Sequence, residues 1–547
     1  MPVSSRATRF GFSTRRRQAV AQHLGAFTLA GLLLMLAFPR PGWGVLAYVA
    51  LVPAGIAAAR TRSWRRLFVT AFIVFGLWWW WMTRWLTGVS PFGPLALGVW
   101  LGAQTAAGVL AAGVLHQKTR WPMVAALPLG WLSIEILRSV WPVGGFSWFT
   151  LAHSQAAWSI DQVHRVVQTA DLFGQHTVGL VVAVVNGALV DLLLHRHIPR
   201  VSLGVAVLLL GGAVAYGSWR IDQWESITTP GPRVAVVQTA VQQDNQAPRS
   251  VEQILEDFRD LVDLHERAAA GDGQTPGLIV WPETIVPFAL NPEARAHNAD
   301  AAPLKTQVAE AALGLVARDG VPTLVGSSTV LRQPEFARYN SAYLVAGDGR
   351  IVGQPYHKQH RVPAGEYIPG PGFVGSLVAW LSPWESSYEL TPGDGPVNFT
   401  LPDGTRIGSP ICYEDAVAAI CRRMVYGPDG KRLDALINLT NDGWYAGRGM
   451  RRQHAQLASL RCIENRVPMA RSVNTGISTL VDSLGRSHAQ LPEFEPGVVT
   501  GELRHDPRAT LYGSLGGIPA ALFVLTAIAA VAFSAIFGRP TAKHRIA

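Results

Sequence analysis

The sequence predicts a bundle of about eight membrane-spanning α-helices carrying one layered α/β domain on the outer face of the membrane. Three observations predict it. The 547 residues are 49% hydrophobic, include 19 Trp and are only 15% charged, a composition unusual for a soluble protein. Apolar runs of about 20 residues, long enough to cross a hydrocarbon core of roughly 30 Å as helix, recur through the N-terminal part and once more near the C-terminus. Between them, from 218 to 516, short β-rich runs alternate with helical stretches, the pattern of a layered α/β domain.

The predicted spans are 22–38, 43–59, 67–86, 93–115, 122–138, 171–194, 201–217 and 517–537. Arg6, Arg9, Arg15, Arg16 and Arg17 precede the first, as in a signal peptide. Pro39, Arg40 and Pro41 follow it instead of a small-residue cleavage pattern, so a retained helix is expected. The fifth carries Glu135 and Arg138 on one helix face, and such a pair in lipid faces the bundle interior or a polar cavity. They are read as structural.

Lys and Arg near span ends stay on the cytoplasmic side. With the N-terminus inside, the inner segments hold Arg60, Arg62, Arg65 and Arg66, then Lys118 and Arg120, then Arg196 and Arg200, then Arg539, Lys543 and Arg545, with no Asp or Glu among them. The short outer loops hold little more than Arg40 and Arg84. Both termini are therefore expected in the cytoplasm and the α/β domain outside. The division is 1–219, a membrane domain of seven helices; 220–232, a linker; 233–506, the α/β domain; and 507–547, the last span and tail. These basic segments account for the net charge of +10 and pI near 9.8, so no nucleic-acid partner is expected. An odd count of three Cys leaves at least one free thiol. Cys421 and Cys462 read equally as a bridge or as two buried small apolar residues.

In the α/β domain, predicted strands are Val234–Val241, Leu278–Trp281, Thr323–Gly326, Ser341–Val345, Ala435–Leu439 and Ile477–Val481. Predicted helices are Val251–Ala270, Leu304–Arg318 and Met450–Arg466. Three segments end on chemically capable residues, at strand ends where active sites gather in α/β sheets. Leu278-Ile-Val-Trp-Pro-Glu283 puts a carboxylate at the rim, where partial burial suits it to general base work; a bland surface Glu is the other reading. In Tyr356-His-Lys358-Gln-His-Arg-Val-Pro-Ala-Gly-Glu366, a lysine and a glutamate flank a Pro and Gly turn. An ammonium there could hold an oxyanion, or simply be solvated. Gly408-Ser-Pro-Ile-Cys412-Tyr-Glu414-Asp415 reads as a strand-to-helix elbow exposing a nucleophile near a helix N-terminus, against the alternative of a buried structural Cys. The histidines are scattered, and no metal site is expected. His454 and His360 share the domain with Cys412, so a Cys-His dyad is a competitor that geometry must decide.

Together, Trp281-Pro-Glu283, Lys358 with Val362-Pro-Ala-Gly-Glu366-Tyr-Ile-Pro369, and Ile411-Cys412-Tyr-Glu414 resemble the Glu-Lys-Cys set of the nitrilase, or carbon-nitrogen hydrolase, superfamily. With its many N-terminal spans and closing C-terminal span, nearly the whole chain resembles that superfamily's membrane-embedded branch, the bacterial apolipoprotein N-acyltransferases. Tyr339-Asn340-Ser341-Ala342, Asn438-Leu-Thr-Asn-Asp442-Gly-Trp444, and Gln453-His454 with Arg461 and Glu464-Asn-Arg466 fit the same pattern. Gly145-Phe146-Ser-Trp148 with Ser154-Gln155 resembles the family's membrane-proximal loop, with Ser147 where that pattern has Pro. After the first domain strand, Val237-Gln238-Thr-Ala-Val-Gln-Gln-Asp-Asn245 replaces a Gly-Asn-Ile-Pro-like run.

The resemblance implies a nitrilase-like α-β-β-α sandwich and a two-step transfer. A phospholipid gives an acyl chain to Cys412, and the N-terminal amine of a diacylglyceryl-cysteine lipoprotein takes it. Glu283 would be the base; Lys358 and the elbow N–H groups, that of Tyr413 included, would hold the oxyanion. Glu366 and Glu414 would orient Lys358 and keep it charged. Phe146, Trp148, Asn340 and Trp444 would bind substrate. Phe146, Trp148 and Trp78–Trp81 would border the lipid path, an ordinary aromatic belt being the other reading. No cofactor is implied, and a monomer in the bacterial cytoplasmic membrane is expected. Two other classes compete: a membrane-tethered amidase using the same residues on a small amide, and a transporter or scaffold with an inactive domain. Transport would be expected to place ionisable residues in several spans, whereas here they are nearly confined to Glu135, Arg138 and Asp191.

Overall fold

The computed structural model describes residues 5–538 apart from 40, 143, 157–159, 242–249, 371–388, 446 and 448. Arg40, most of the loop 239–247 and the basic tail with Arg539, Lys543 and Arg545 lie outside these residues, as do the side chains of Arg6, Arg9 and Arg15.

Among the described residues, five helices are long and apolar enough to cross a membrane: Arg16–Ala37, Gly93–Thr119, Gln175–Leu194, Arg200–Ile227 and Ile518–Phe537. The other three expected spans depart from that standard, each for a visible reason. The second is broken into a turn at Gly44–Leu46 and the helices Ala47–Ala50 and Val52–Arg60, with Pro53 in the first turn of the last, where a missing N–H costs nothing. The third, Trp64–Met82, is 19 residues long but contains the polar-edged run Trp78–Trp81. The fifth, Met123–Arg138, has 16 residues with Pro128 inside.

Polar side chains inside the bundle serve the backbone. The N–H of Leu51 donates to Asn186 Oδ1 at 2.8 Å, and Asn186 Nδ2 donates to the Ala47 carbonyl at 2.8 Å. The break in the second span thereby keeps its hydrogen bonds without water, as a bilayer interior demands. Asp191 accepts from the N–H groups of Met123 (2.8 Å) and Val124 (3.0 Å), an anion at a helix N-terminus. Glu135 accepts from Trp131 Nε1 (2.9 Å) and the Leu151 N–H (3.1 Å), while Arg138 donates to the carbonyls of Phe146 (2.9 Å), Trp148 (2.6 Å) and Phe149 (3.0 Å). The pair thus fastens the loop after its own helix. Gly108 and Gly130 let two helices meet closely: a Cβ on Gly130 would lie 2.5 Å from the Gly108 carbonyl oxygen, the small-residue contact that packs helices in lipid.

The α/β domain holds two six-stranded sheets. One consists of β1 (Arg233–Gln238), β2 (Leu278–Val280), β3 (Thr323–Leu331), β4 (Ala337–Val345), β5 (Ile351–His357) and β14 (Gly497–Glu502), ordered β14-β1-β2-β3-β4-β5. The other consists of β6 (Asn398–Thr400), β7 (Arg406–Gly408), β10 (Ala435–Thr440), β11 (Met469–Val473), β12 (Thr479–Val481) and β13 (Ser487–Gln490), ordered β13-β12-β11-β10-β7-β6. A small hairpin, β8 (Tyr426–Gly427) with β9 (Gly430–Lys431), stands apart. The central strands β1, β2 and β3 run parallel, as do β7, β10 and β11.

Alternation along the strands builds the layers. Val234, Val236, Leu278, Val280 and Leu324 belong to the core shared with the second sheet, whereas Ala235, Val237, Ile279, Trp281 and Val325 pack with Leu261, Leu264 and Leu315 of the helices Val251–Ala270 and Pro303–Asp319. Ser472 on β11 reaches across, donating to the carbonyl of Val237 at 2.8 Å. The helix Gly449–Asn465 lies between the second sheet and the bundle and is buried along nearly its whole length. Residues 220–232, expected to be a plain linker, are helical as far as Ile227 and then tied to the last strand's exit, Thr229 exchanging backbone bonds with His505.

Candidate active site

Glu283 lies just past β2. The chain there passes so close to β3 that a Cβ on Gly326 would sit 2.2 Å from the Pro282 carbonyl oxygen, and this pins Pro282 and Glu283 at the sheet rim. Lys358 follows β5, its N–H bonded to the Asn340 carbonyl at 2.9 Å. Cys412 comes four residues after β7, once Ile411 has made a single parallel bridge to Leu439. Its φ is +53°, a left-handed conformation uncommon outside Gly and found where a sharp turn presents a side chain. The elbow enters a 3-10 turn, Cys412–Ala416, and only then the helix Ala418–Val425. The expected strand-to-helix elbow is present with a 3-10 turn interposed, so the N–H groups nearest the thiol, Tyr413 among them, belong to the first residues of that turn.

These three chain ends bring their side chains together. Lys358 Nζ lies 3.3 Å from Glu283 Oε1 and 2.6 Å from Glu366 Oε1, and Cys412 lines the same cavity as Glu283 and Glu366. All three are nearly sealed from solvent, Cys412 at 3%, Glu283 at 5% and Lys358 at 2% exposure. Asn340 Nδ2 and the N–H of Asn441 each donate to Glu283 at 2.7 Å. Glu366 also accepts from the Val362 N–H at 2.7 Å, closing its own turn. Glu414 does not touch Lys358. It accepts from the Tyr356 hydroxyl (2.8 Å) and the N–H groups of Gln359 (2.7 Å), His360 (2.9 Å) and Ile411 (2.8 Å), and so ties the segment after Lys358 to the turn that carries Cys412.

Burial governs the electrostatics. It pushes the Glu283 carboxyl up, against the pull of Lys358. The Cys412 thiol is also pushed well up, by burial and then by Glu283. Burial alone would discharge Lys358, but Glu366 and Glu283 outweigh it and hold the ammonium well above its ordinary range. Burial thus favours a neutral thiol at Cys412, with Lys358 held as a cation beside Glu283.

A Cys-His dyad is not formed. Both ring nitrogens of His454 face carboxylates, Nδ1 at 2.9 Å from Asp442 Oδ1 and Nε2 at 2.7 Å from Asp415 Oδ1. His360 stacks on Tyr413 with ring centroids 5.5 Å apart, and burial lowers its pKa to about 4. Cys421 and Cys462 are free, buried thiols. Among the described residues no group of three or more His, Cys, Asp or Glu converges as a metal site would.

Glu283 and Cys412 open into a cavity of about 570 Å³, whose wall includes Val241, Phe258, Ile285, Phe288, Trp444 and Tyr445 and, from the bundle, Val89. Of the residues expected to bind substrate, Trp444 and Asn340 line it, although the amide of Asn340 is committed to Glu283. Phe146 and Trp148 do not line it. Trp148 is fully buried, 5.0 Å from the Trp85 ring and 5.5 Å from the His454 ring. Asn441 was missed as a contributor because its backbone, not its side chain, serves Glu283; it stands inside the Asn438–Trp444 motif, the one signal that could have flagged it.

Residues 233–510 match the family described as Carbon-nitrogen hydrolase, and residues 30–188 match that described as Apolipoprotein N-acyltransferase N-terminal domain. An apolipoprotein N-acyltransferase of Rhizobium meliloti is 32% identical over 82% of this chain and 79% of its own length. The chain belongs to the apolipoprotein N-acyltransferase family. A second member of the family, from Geobacter metallireducens, is 28% identical over 94% of this chain and 96% of its own length. An amidase from Nesterenkonia sp. of known structure is 19% identical and covers 51% of this chain and 92% of its own, with a TM-score of 0.35, a likeness too slight to bear on chemistry. Membership of the family makes the protein a membrane-embedded acyltransferase built on a nitrilase-like α/β domain, and it favours acyl transfer over hydrolysis of a small amide.

Proposed function

We propose that the protein moves an acyl chain from a membrane phospholipid, through a thioester on Cys412, to the N-terminal amine of a diacylglyceryl-cysteine lipoprotein. The observation that carries the reading is that Glu283 and Cys412 line one cavity, whose wall includes Val89 of the bundle, while Lys358 lies 3.3 Å from Glu283. Glu283 takes the thiol proton as the sulfur attacks the donor ester and returns it to the lysophospholipid oxygen that leaves; it then takes a proton from the attacking acceptor amine and returns it to the Cys412 sulfur as the thioester C–S bond breaks. Lys358 and the Tyr413 N–H hold the tetrahedral oxyanion, and losing one such donor typically costs about 100- to 1,000-fold in rate. Glu366 keeps Lys358 charged, and Glu414 fixes the two segments that carry Lys358 and Cys412. Asn340 acts through Glu283, and Trp444 borders the acyl chain.

Both substrates keep their chains in the bilayer, and drawing either out would expose CH₂ groups at about 0.8 kcal/mol each, so the site must come down to the lipid. The proposed arrangement is eight spans, both termini cytoplasmic, and the catalytic domain of residues 233–506 on the outer face of the bacterial cytoplasmic membrane, as a monomer. Three contacts support a shared end for bundle loops and domain: Val89 in the cavity wall, the Ser147 hydroxyl donating to the Ala416 carbonyl at 2.9 Å, and Asp171 paired with Arg466 at 2.7 Å.

The test is the intact mass of wild type and Cys412→Ser after incubation with phospholipid alone. An acyl-sized gain on wild type only, discharged by a diacylglyceryl peptide with a free amine, is expected. Absence of the adduct, with Cys412-dependent hydrolysis of a small amide, would sink the proposal.

A further inference from the structure

The cavity of Glu283 and Cys412 is acidic at its catalytic end, and those acids are occupied: Glu283 by Lys358, Asn340 and the Asn441 N–H, Glu366 by Lys358 and the Val362 N–H. The same wall carries the apolar Ile285, Val286 and Phe288 and the basic Lys305, Arg332 and Arg338. Lys305 Nζ lies 6.0 Å over the Phe288 ring. Among the described residues no carboxylate lies within 4.0 Å of the charged nitrogens of Lys305 or Arg332; Glu293, close to Arg332, accepts instead from its backbone N–H at 3.0 Å. Asp257, also in the wall, has a partner of its own.

A cavity whose catalytic acids are paired, and whose wall holds Lys305 and Arg332 with no carboxylate beside them among the described residues, is suited to receive an anion at those two groups. Guanidinium and ammonium groups are the side chains that bind phosphate oxygens. We propose that Lys305 and Arg332 form a subsite for the phosphodiester of the acyl donor, holding the headgroup end of a phospholipid while its ester carbonyl reaches Cys412. This rests on the donor reading above and deepens it. The chemistry suits the geometry: in a glycerophospholipid the phosphate and the acyl esters share one three-carbon backbone, so fixing the phosphate confines the ester to a small volume, which raises the rate of attack by positioning alone. It also places the discriminating contact on the part of the donor that leaves with the lysolipid.

The experiment compares wild type with Lys305→Gln/Arg332→Gln and with Lys305→Glu/Arg332→Glu, full-length and in detergent. Single-turnover acylation of Cys412 is followed by mass with two donors, phosphatidylethanolamine and the diacylglycerol of the same chains, which lacks the phosphate. Wild type is expected to prefer the phospholipid. Both variants are expected to need about tenfold more of it to half-saturate, the charge reversal more than the neutral pair, as loss of charge-assisted contacts predicts. Their rate with diacylglycerol stays at the wild-type level, which also shows that they are folded. Equal loss with both donors, or no loss with either, overturns the subsite. Inorganic phosphate is added in a third arm: if it slows wild-type acylation by diacylglycerol in a Lys305- and Arg332-dependent way while phospholipid use is unchanged in the variants, the site takes free phosphate, and the donor assignment is overturned. If wild-type Cys412 is acylated by neither donor, it is the proposed function that fails.

Discussion

Glu283 owes its place to donors that the reaction does not consume. Asn340 supplies one of them, and its deletion in Asn340→Ala strips a buried carboxylate of a charge-assisted bond worth roughly 1.5–3 kcal/mol, so single-turnover thioester formation is expected to slow about 10- to 100-fold with acceptor affinity unchanged. An unaltered rate would remove Asn340 from the machinery. His454 offers a second check. Burial would lower its pKa, but Asp415 foremost and then Asp442 raise it to about 9. A folded-state pKa above the ordinary 6.5 means a stabilisation that is fully present below about pH 6.5 and lost as pH rises through about 9. The thermal midpoint of the wild type should therefore fall between pH 7 and 9.5, and His454→Gln should flatten that fall while starting lower. The sequence could show Glu283, Lys358 and Cys412 because each closes a short motif. It could not show that the side chain of Asn340 turns to Glu283 rather than to substrate, or that His454 is flanked by two carboxylates; those are facts of packing. Asp442 lies 12 residues before His454 and Asp415 lies 39, and neither spacing has a periodicity to betray it.

At the level of elements, the helix Gly449–Asn465 shows where patterning succeeds and where it stops. Its ends fall within one residue of those expected at Met450 and Arg466, because helix length is written in local composition. Its burial is not. Arg451, Arg461 and Glu464 would face water on an isolated helix, yet all are buried, because the bundle covers the side that the sheet leaves open. Arg461 reaches Gln175 Oε1 at 3.1 Å and Glu464 accepts from the Gln175 N–H at 2.7 Å. Just past the helix, Arg466 bonds Asp171 at 2.7 Å, and Arg220 joins the same carboxylate at 2.7 Å. Asp171→Ala leaves two guanidiniums facing each other with no shared anion, and breaking a buried pair from one side costs roughly 3–5 kcal/mol. Purified Asp171→Ala is expected to unfold at a clearly lower temperature than wild type, and Asp171→Asn, which keeps the shape and loses the charge, should recover little of the difference. A midpoint equal to that of the wild type would mean that the junction is held elsewhere. The broken second span was likewise hidden from hydropathy, since Gly44–Arg60 is apolar throughout its core and only Asn186, on another helix, completes its backbone bonding.

For the whole molecule the decisive quantity is parity. Of the five helices long and apolar enough to cross a membrane, four precede the α/β domain, and four crossings would return the domain to the side of the N-terminus. The segments 43–59, 67–86 and 122–138 make seven and put it across. The structure bears on two of them. Met123 and Val124 are bonded to Asp191 at the end of the bundle remote from the domain, whereas Arg138, at the other end of the same helix, grips the carbonyl of Trp148, which packs on His454 of the domain; the 16-residue helix is thus tied off at opposite ends, as the proposed crossing requires. Val89, after Trp64–Met82, reaches the catalytic cavity, so that helix too delivers its C-terminal end to the domain side. Single cysteines at exposed positions decide the matter, since the native thiols are buried. In intact spheroplasts a membrane-impermeant maleimide should label Thr87→Cys and Arg350→Cys, and should label Arg62→Cys and Arg196→Cys only after the membrane is opened. Labelling of Arg62→Cys together with Arg350→Cys in closed cells would mean that Trp64–Met82 turns back without crossing. The count of eight would then fall, and with it the placement of Cys412 opposite the cytoplasmic termini.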